Sequence, residues 1–141
     1  MKRALISVFN KEKIDGIAAV LHQAGWEIVS TGGTAAYLQK MNIPVTEVSG
    51  ITDFPEILDG RVKTLHPLIF GPVLAKKTAG HLKQLEELHA GKIDLVIINF
   101  YPFDAVLEKN AADLDVMLEN IDIGGPALVR AAAKNFKDTL V

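Results

Sequence analysis

Residues 94–98 read Asp-Leu-Val-Ile-Ile, four large apolar side chains in a row. A strand with one face in water would alternate apolar and polar residues. An unbroken apolar run of this length is what a strand in the middle of a parallel sheet looks like, covered on both faces. Residues 4–8 (Ala-Leu-Ile-Ser-Val) form a second such run, and residues 26–29 and 44–48 read as two further strands. Between them the period changes. Ile14, Ile17, Ala18 and Leu21 fall at helical spacing with Gly25 as the stop, and residues 35–41 predict a short helix. Leu82, Leu85 and Leu88 predict a helix ending near Gly91. Val116 and Leu118 mark another, and the alanine-rich residues 127–135 the last. Residues 49–72 hold many breakers and few periods and are predicted to be mostly loop. Strands alternating with helices in this way predict an α/β fold of three layers, α/β/α, around a mainly parallel sheet.

At 141 residues the chain is one domain's worth, residues 1–141. Thr139-Leu140-Val141 reads as the start of another strand, so the chain is expected to be a piece of a longer one. A net charge of −2 gives no overall basic field, so neither nucleic acid nor a membrane is an expected partner, and any anion recognition must be local. With no cysteine there is no disulfide or thiol nucleophile, which fits a cytoplasmic location. The opening apolar run is too short for a signal peptide or a membrane span. His22, His66, His81 and His89 show no metal-ligand spacing, and no metal is expected. The glycine fingerprint of dinucleotide sites and the Gly-x-Ser-x-Gly elbow are also missing.

In parallel α/β folds ligands bind outside the carboxyl ends of the strands. The segments in those places are the polar, glycine-containing ones. Ser30-Thr31-Gly32-Gly33-Thr34 lies between a strand and a helix, where glycine lets backbone N–H groups converge and the helix start adds partial positive charge. This suits a phosphate; the plain alternative is a strand-to-helix turn with Thr34 as N-cap. Ser7 and Lys11 flank the end of the first strand, and Lys11 either reaches the same anion or is a solvated lysine. Arg61, Lys63, Thr64 and His66 crowd a segment bounded by Gly60 and Pro67, where an extended backbone aims both cations one way. His66 reads as a structural histidine bonding the backbone. Asn99 and Tyr101 follow the most apolar strand, Tyr101 either contacting a ligand or closing the sheet end. Asp122 stands between Ile121 and Ile123, ahead of Gly124-Gly125-Pro126, which reads as a turn. A carboxylate in apolar surroundings suits proton transfer; otherwise it is a turn residue. Arg130 and Lys134 are four apart and share a helix face.

Together these segments resemble the IMP cyclohydrolase domain of the bifunctional AICAR transformylase/IMP cyclohydrolase family. The resemblance rests on Ser30-Thr31-Gly32-Gly33-Thr34, on the run from Pro55 to Pro67 ending Arg61-Val62-Lys63-Thr64-Leu65-His66-Pro67, on Asn99 with Tyr101-Pro102-Phe103, and on Glu119-Asn120-Ile121-Asp122-Ile123-Gly124-Gly125 with Arg130-Ala131-Ala132-Ala133-Lys134-Asn135. It implies a methylglyoxal-synthase-like fold and dehydrative ring closure of formyl-AICAR ribotide to IMP. It implies no cofactor for that step; 10-formyltetrahydrofolate would serve only the absent transformylase domain. Lys63, Tyr101, Asp122 and Lys134 match the family's catalytic positions. Ser7, Lys11, Ser30, Thr31, Gly32, Gly33 and Thr34 would hold the phosphate, with Arg61, Thr64, Asn99, Ile123, Gly124 and Gly125 around the rest of the nucleotide. A homodimer is implied for the full-length protein. The chain departs from the family at Phe9, where serine is usual, and at Leu68-Ile69-Phe70-Gly71-Pro72, where Lys-Ile-His-Gly-Gly is usual. The alternatives are a non-catalytic nucleotide- or phosphate-binding module of the same fold, and methylglyoxal synthase itself.

Overall fold

The computed structural model describes residues 1–141, the Asn110 side chain excepted. Four strands, β1 (Arg3–Ser7), β2 (Glu27–Ser30), β3 (Thr46–Glu47) and β4 (Leu95–Ile98), form one sheet in the order β3-β2-β1-β4. Every pairing is parallel. β1 is central, and Ala4, Leu5 and Ile6 have no exposed surface. The alternation of its side chains divides the core in two. Ala4, Ile6 and Val8 pack with Ile28 beneath α1 (Ile14–Gln23) and α2 (Gly32–Lys40). Leu5, Val29 and Val96 pack on the other face with α3 (Val48–Thr52), α4 (Pro67–Leu74) and α8 (Gly124–Lys134). The three-layer α/β/α architecture is thus the one the sequence predicts. Beyond the last helix, Leu140 bridges in parallel to Leu95, extending the sheet past β4. Lys92 ties this tail down, its ammonium donating to the carbonyls of Ile93 and Asp138 and to the Thr139 hydroxyl. Burial lowers its pKa, partly offset by Asp94.

Several predicted elements differ. The third strand is only two residues long, and Val48 already begins α3. The stretch predicted to be loop, residues 49–72, holds most of α3 and α4. The α4 sequence Pro-Leu-Ile-Phe-Gly-Pro-Val-Leu is apolar on every side and shows no period. Three things hold it helical. Pro67 sits at the first helical position, His66 accepts a hydrogen bond from the Leu68 N–H at 3.2 Å, and Ile69 and Val73 are fully buried. His66 is thus the structural histidine expected. In α5 (Ala79–Glu87) and its cap only Leu85 of the three predicted leucines is buried. α6 (Phe103–Asn110) and α7 (Leu114–Glu119) sit side by side after β4. The Gly124-Gly125-Pro126 segment is not a turn but the first turn of α8. No helix among the described residues is long and apolar enough to cross a membrane.

Candidate active site

The loops at the carboxyl ends of the strands surround a cleft of about 700 Å³, a volume typical of small-molecule sites. It opens where the strand order reverses, between β1 and its neighbours β2 and β4. Ser7 ends β1, Phe9 and Lys11 come from the loop after it, Thr31, Gly33 and Thr34 from the start of α2, and Asn99 and Tyr101 from the loop after β4. Arg61, Lys63 and Thr64 form a further wall, and Asp122, Ile123, Gly124 and Gly125 close the cleft at the start of α8.

The start of α2 gathers positive charge. Gly32 begins the helix with φ of 53°, and Thr31, extended at the N-cap position, makes no side-chain cap bond. The first helical N–H groups therefore have no carbonyl partner within the helix. Two lysines converge there. Lys11 Nζ lies 3.8 Å from where a Cβ on Gly33 would stand, and Lys63 Nζ 3.5 Å from the same point on Gly32. The hydroxyls at this turn have other duties. Ser30 is fully buried and donates to the Ile6 carbonyl at 2.6 Å, outside the cleft lining. Thr34 is not the N-cap; its hydroxyl accepts from the Val8 N–H at 3.1 Å and donates to the Val8 carbonyl at 2.9 Å, fastening α2 to the end of β1.

Asn99 performs a similar fastening on the opposite side. Its Oδ1 accepts from the N–H groups of Phe9 at 2.6 Å and Asn10 at 3.0 Å, and its Nδ2 donates to the Asn10 carbonyl at 2.8 Å. The loop carrying Lys11 is thereby clamped to the end of β4. Phe9 meets Tyr101 edge-on, ring centroids 5.4 Å apart.

At the other end of the cleft Asp122 is half-buried, and its Oδ1 accepts from the Gly125 N–H at 2.9 Å. A Cβ on Gly125 would stand 2.7 Å from Asp122 Oδ2, so only glycine leaves the carboxylate this room. Thr64 is buried with its hydroxyl 3.0 Å from the corresponding point on Gly124. Arg61 pairs with Glu119 across the mouth, and the hydrogen bond to Glu119 raises the guanidinium pKa.

Lys134 stands apart. It is exposed at the far end of α8, ten residues from Gly124, a rise of about 15 Å. Leu68 and Phe70, two departures from the family pattern, also lie off the cleft. Leu68 packs on Leu85 and Ala90, and Phe70 on the main core. Glu56, to which sequence reasoning assigned no role, is the ion-pair partner of Lys63 at 3.2 Å. The two sit seven residues apart across a tight turn, a spacing that carries no periodic signal. Among the described residues no cluster of three or more His, Asp or Glu is placed to hold a metal.

Such a parallel sheet, with helices on both faces and a polar multi-loop cleft at its carboxyl edge, defines an α/β ligand-binding domain. The chain belongs to the MGS-like domain family, whose model matches residues 13–127. It is 56% identical over 140 residues to the bifunctional purine biosynthesis protein PurH of Deinococcus radiodurans, covering 99% of this chain and 27% of that protein. The PurH of Aquifex aeolicus is 56% identical over 135 residues, 95% of this chain and 26% of its own length. The chain thus spans about a quarter of the curated relatives it matches. Its fold is also that of the crystal structure of ForH, at a TM-score of 0.81 and 33% identity, covering 98% of this chain and 70% of that one.

Proposed function

We propose that this chain is an IMP cyclohydrolase domain, acting on formyl-AICAR ribotide within a longer bifunctional purine-biosynthesis protein. One observation carries the reading: a chain 56% identical to PurH over nearly its whole length lines a single cleft with Lys63, Tyr101 and Asp122. In the reaction the carboxamide nitrogen attacks the carbon of the formyl group borne by the 5-amino nitrogen, a C–N bond forms, and the formyl oxygen leaves as water with two protons given up by the nitrogens. No electrons are exchanged, so this chemistry calls for no cofactor; formyl-folate would be used by the transformylase part. Both reacting groups belong to one substrate, so orientation supplies much of the acceleration.

The phosphate would rest on the start of α2, between Lys11 and Lys63, with Ser7, Thr31 and Gly33 beside it. That polarity sets the heterocycle toward Tyr101 and the start of α8. Asp122, oriented by the Gly125 N–H, would take the proton from the attacking nitrogen. Cationic groups and backbone N–H groups would stabilise the developing oxyanion. Lys134 is exposed at the end of α8, away from Asp122 at its start. Its participation is read as coming from a second copy, as in a homodimer; the cytoplasm is the expected location.

The deciding experiment incubates the protein with formyl-AICAR ribotide and follows IMP absorbance, with dihydroxyacetone phosphate as control substrate. IMP formation is expected. Nucleotide binding without turnover would favour a regulatory module, and turnover of the control would favour a methylglyoxal synthase. If the second-copy account of Lys134 holds, mixing the inactive Lys134→Ala and Asp122→Asn variants restores part of the activity. If mixing restores none, that account is wrong.

A further inference from the structure

Glu56 lies on the first arm of a tight turn closed by the paired backbones of Ile57 and Val62. Leu58, Asp59 and Gly60 at its tip all have positive φ, 53°, 54° and 86°. This brings Gly60 directly beneath the Glu56 carboxylate, where a Cβ would collide with it and stand 3.2 Å from Lys63 Nζ. The carboxylate and ammonium are paired at 3.2 Å, and the pair sits at the start of α2. From the Cβ point of Gly32, Lys63 Nζ is 3.5 Å away and Glu56 Oε2 3.9 Å. Lys63 lines the cleft; Glu56 stands behind it.

In the empty cleft two ammonium groups and a helix start gather in one place, and they repel one another. A carboxylate among them relieves this. A phosphorylated ligand, binding as proposed above, brings its own negative charge to the same place. The Glu56 charge then becomes repulsive to the ligand, and Lys63 has two anions competing for it. We infer that Glu56 is a built-in counter-anion, which holds Lys63 at the start of α2 while the cleft is empty and competes with the incoming phosphate. It would thereby keep the site from binding phosphate esters too tightly to release them. This rests on the placement of the phosphate at α2, and not on the ring-closure chemistry.

The test is calorimetric binding of IMP, inorganic phosphate and inosine to the wild type and to Glu56→Gln, which keeps the shape of the side chain and removes its charge. IMP and phosphate should bind about tenfold tighter to the variant at low salt, and the gain should shrink as salt rises. Inosine, which lacks the phosphate, should gain nothing. Equal or weaker phosphate binding in a variant with wild-type thermal unfolding overturns the inference and leaves Glu56 a brace. If Glu56→Gln does not fold, the comparison moves to Lys63→Met against Lys63→Met with Glu56→Asp. The shorter carboxylate, drawn back from the start of α2, should restore affinity, and no recovery overturns the inference. Failure of ring closure with phosphate binding intact removes the catalytic reading and leaves this one standing. Absence of both IMP and phosphate binding in wild type and variant overturns this one, whatever the ring-closure assay shows.

Discussion

Two helices begin at the cleft, and they are finished in opposite ways. α2 opens with no side-chain cap, two lysines beside it and Gly32 in a left-handed conformation. α8 opens with Asp122 folded back onto the Gly125 N–H. The first leaves its positive end without a side-chain cap. The second keeps a carboxylate of its own in that place and holds it in one orientation. The same local physics, unpaired N–H groups at a helix start, would thus serve, in the proposed reading, an anion receptor at one end of the cleft and a fixed proton acceptor at the other. Damage to α8's start should therefore appear in kcat, and damage to α2's start in KM.

The sharpest break is Asp122→Asn. The amide can still accept from Gly125 but cannot take a proton, so ring closure should fall about a thousandfold, while IMP binding by calorimetry stays within a few-fold of wild type. Turnover near wild type would remove Asp122 as the base. Gly125→Ala comes next. The added methyl would stand 2.7 Å from Asp122 Oδ2 and 3.0 Å from Phe100 Cδ1, so the carboxylate must move. A displaced catalytic group costs up to about a hundredfold, and the loss should fall on kcat in steady-state assays, with KM little changed.

Gly32→Ala is the matching change at α2. Its φ of 53° is strained for alanine, and the methyl meets Lys63 Nζ at 3.5 Å. A cost of about 1–2 kcal/mol in thermal or denaturant unfolding is expected. KM should rise about tenfold, close to 1.4 kcal/mol of lost phosphate binding, and kcat should hold. If both glycine variants changed kcat alike, the division of labour between the two helix starts would be wrong.

This division was only partly legible in the sequence. Each of the four polar segments after strands reached the cleft, because a parallel sheet delivers all its βα loops to one edge, and that much follows from the order of apolar runs. What the sequence hid was direction. Ser30 and Thr34 look like ligand hydroxyls, yet one bonds the Ile6 carbonyl and the other brackets Val8. Hydroxyls beside a strand end satisfy whichever backbone group is nearest, and spacing does not reveal which. α4 was hidden because its helicity comes from burial against α8 and from His66 and Pro67 at its start, with no period to read. Glu56 was hidden because only the positive-φ turn at Leu58, Asp59 and Gly60 brings it to Lys63. Lys134 shows the reverse case: motif spacing joins it to Asp122, while a helical rise of about 15 Å separates them.

The smallest expected effect concerns how Lys11 is held at α2's start. Lys11 is on a loop, and Asn99 fixes that loop through three hydrogen bonds to the backbone of Phe9 and Asn10. Asn99 and its partners are exposed, so water can replace much of what Asn99→Ala removes, and net hydrogen-bond losses near 1 kcal/mol or less are the rule. KM should therefore rise about threefold, with kcat unchanged if Asn99 acts only through the loop. A direct ligand contact and a clamp predict different couplings. If Asn99 works by holding Lys11 in place, Asn99→Ala should add little once Lys11→Ala has removed the ammonium, and the double variant should match Lys11→Ala. If Asn99 instead binds the nucleotide itself, the two losses should multiply. In that case the cleft's wall at β4 would belong to the ligand as directly as the start of α2 does.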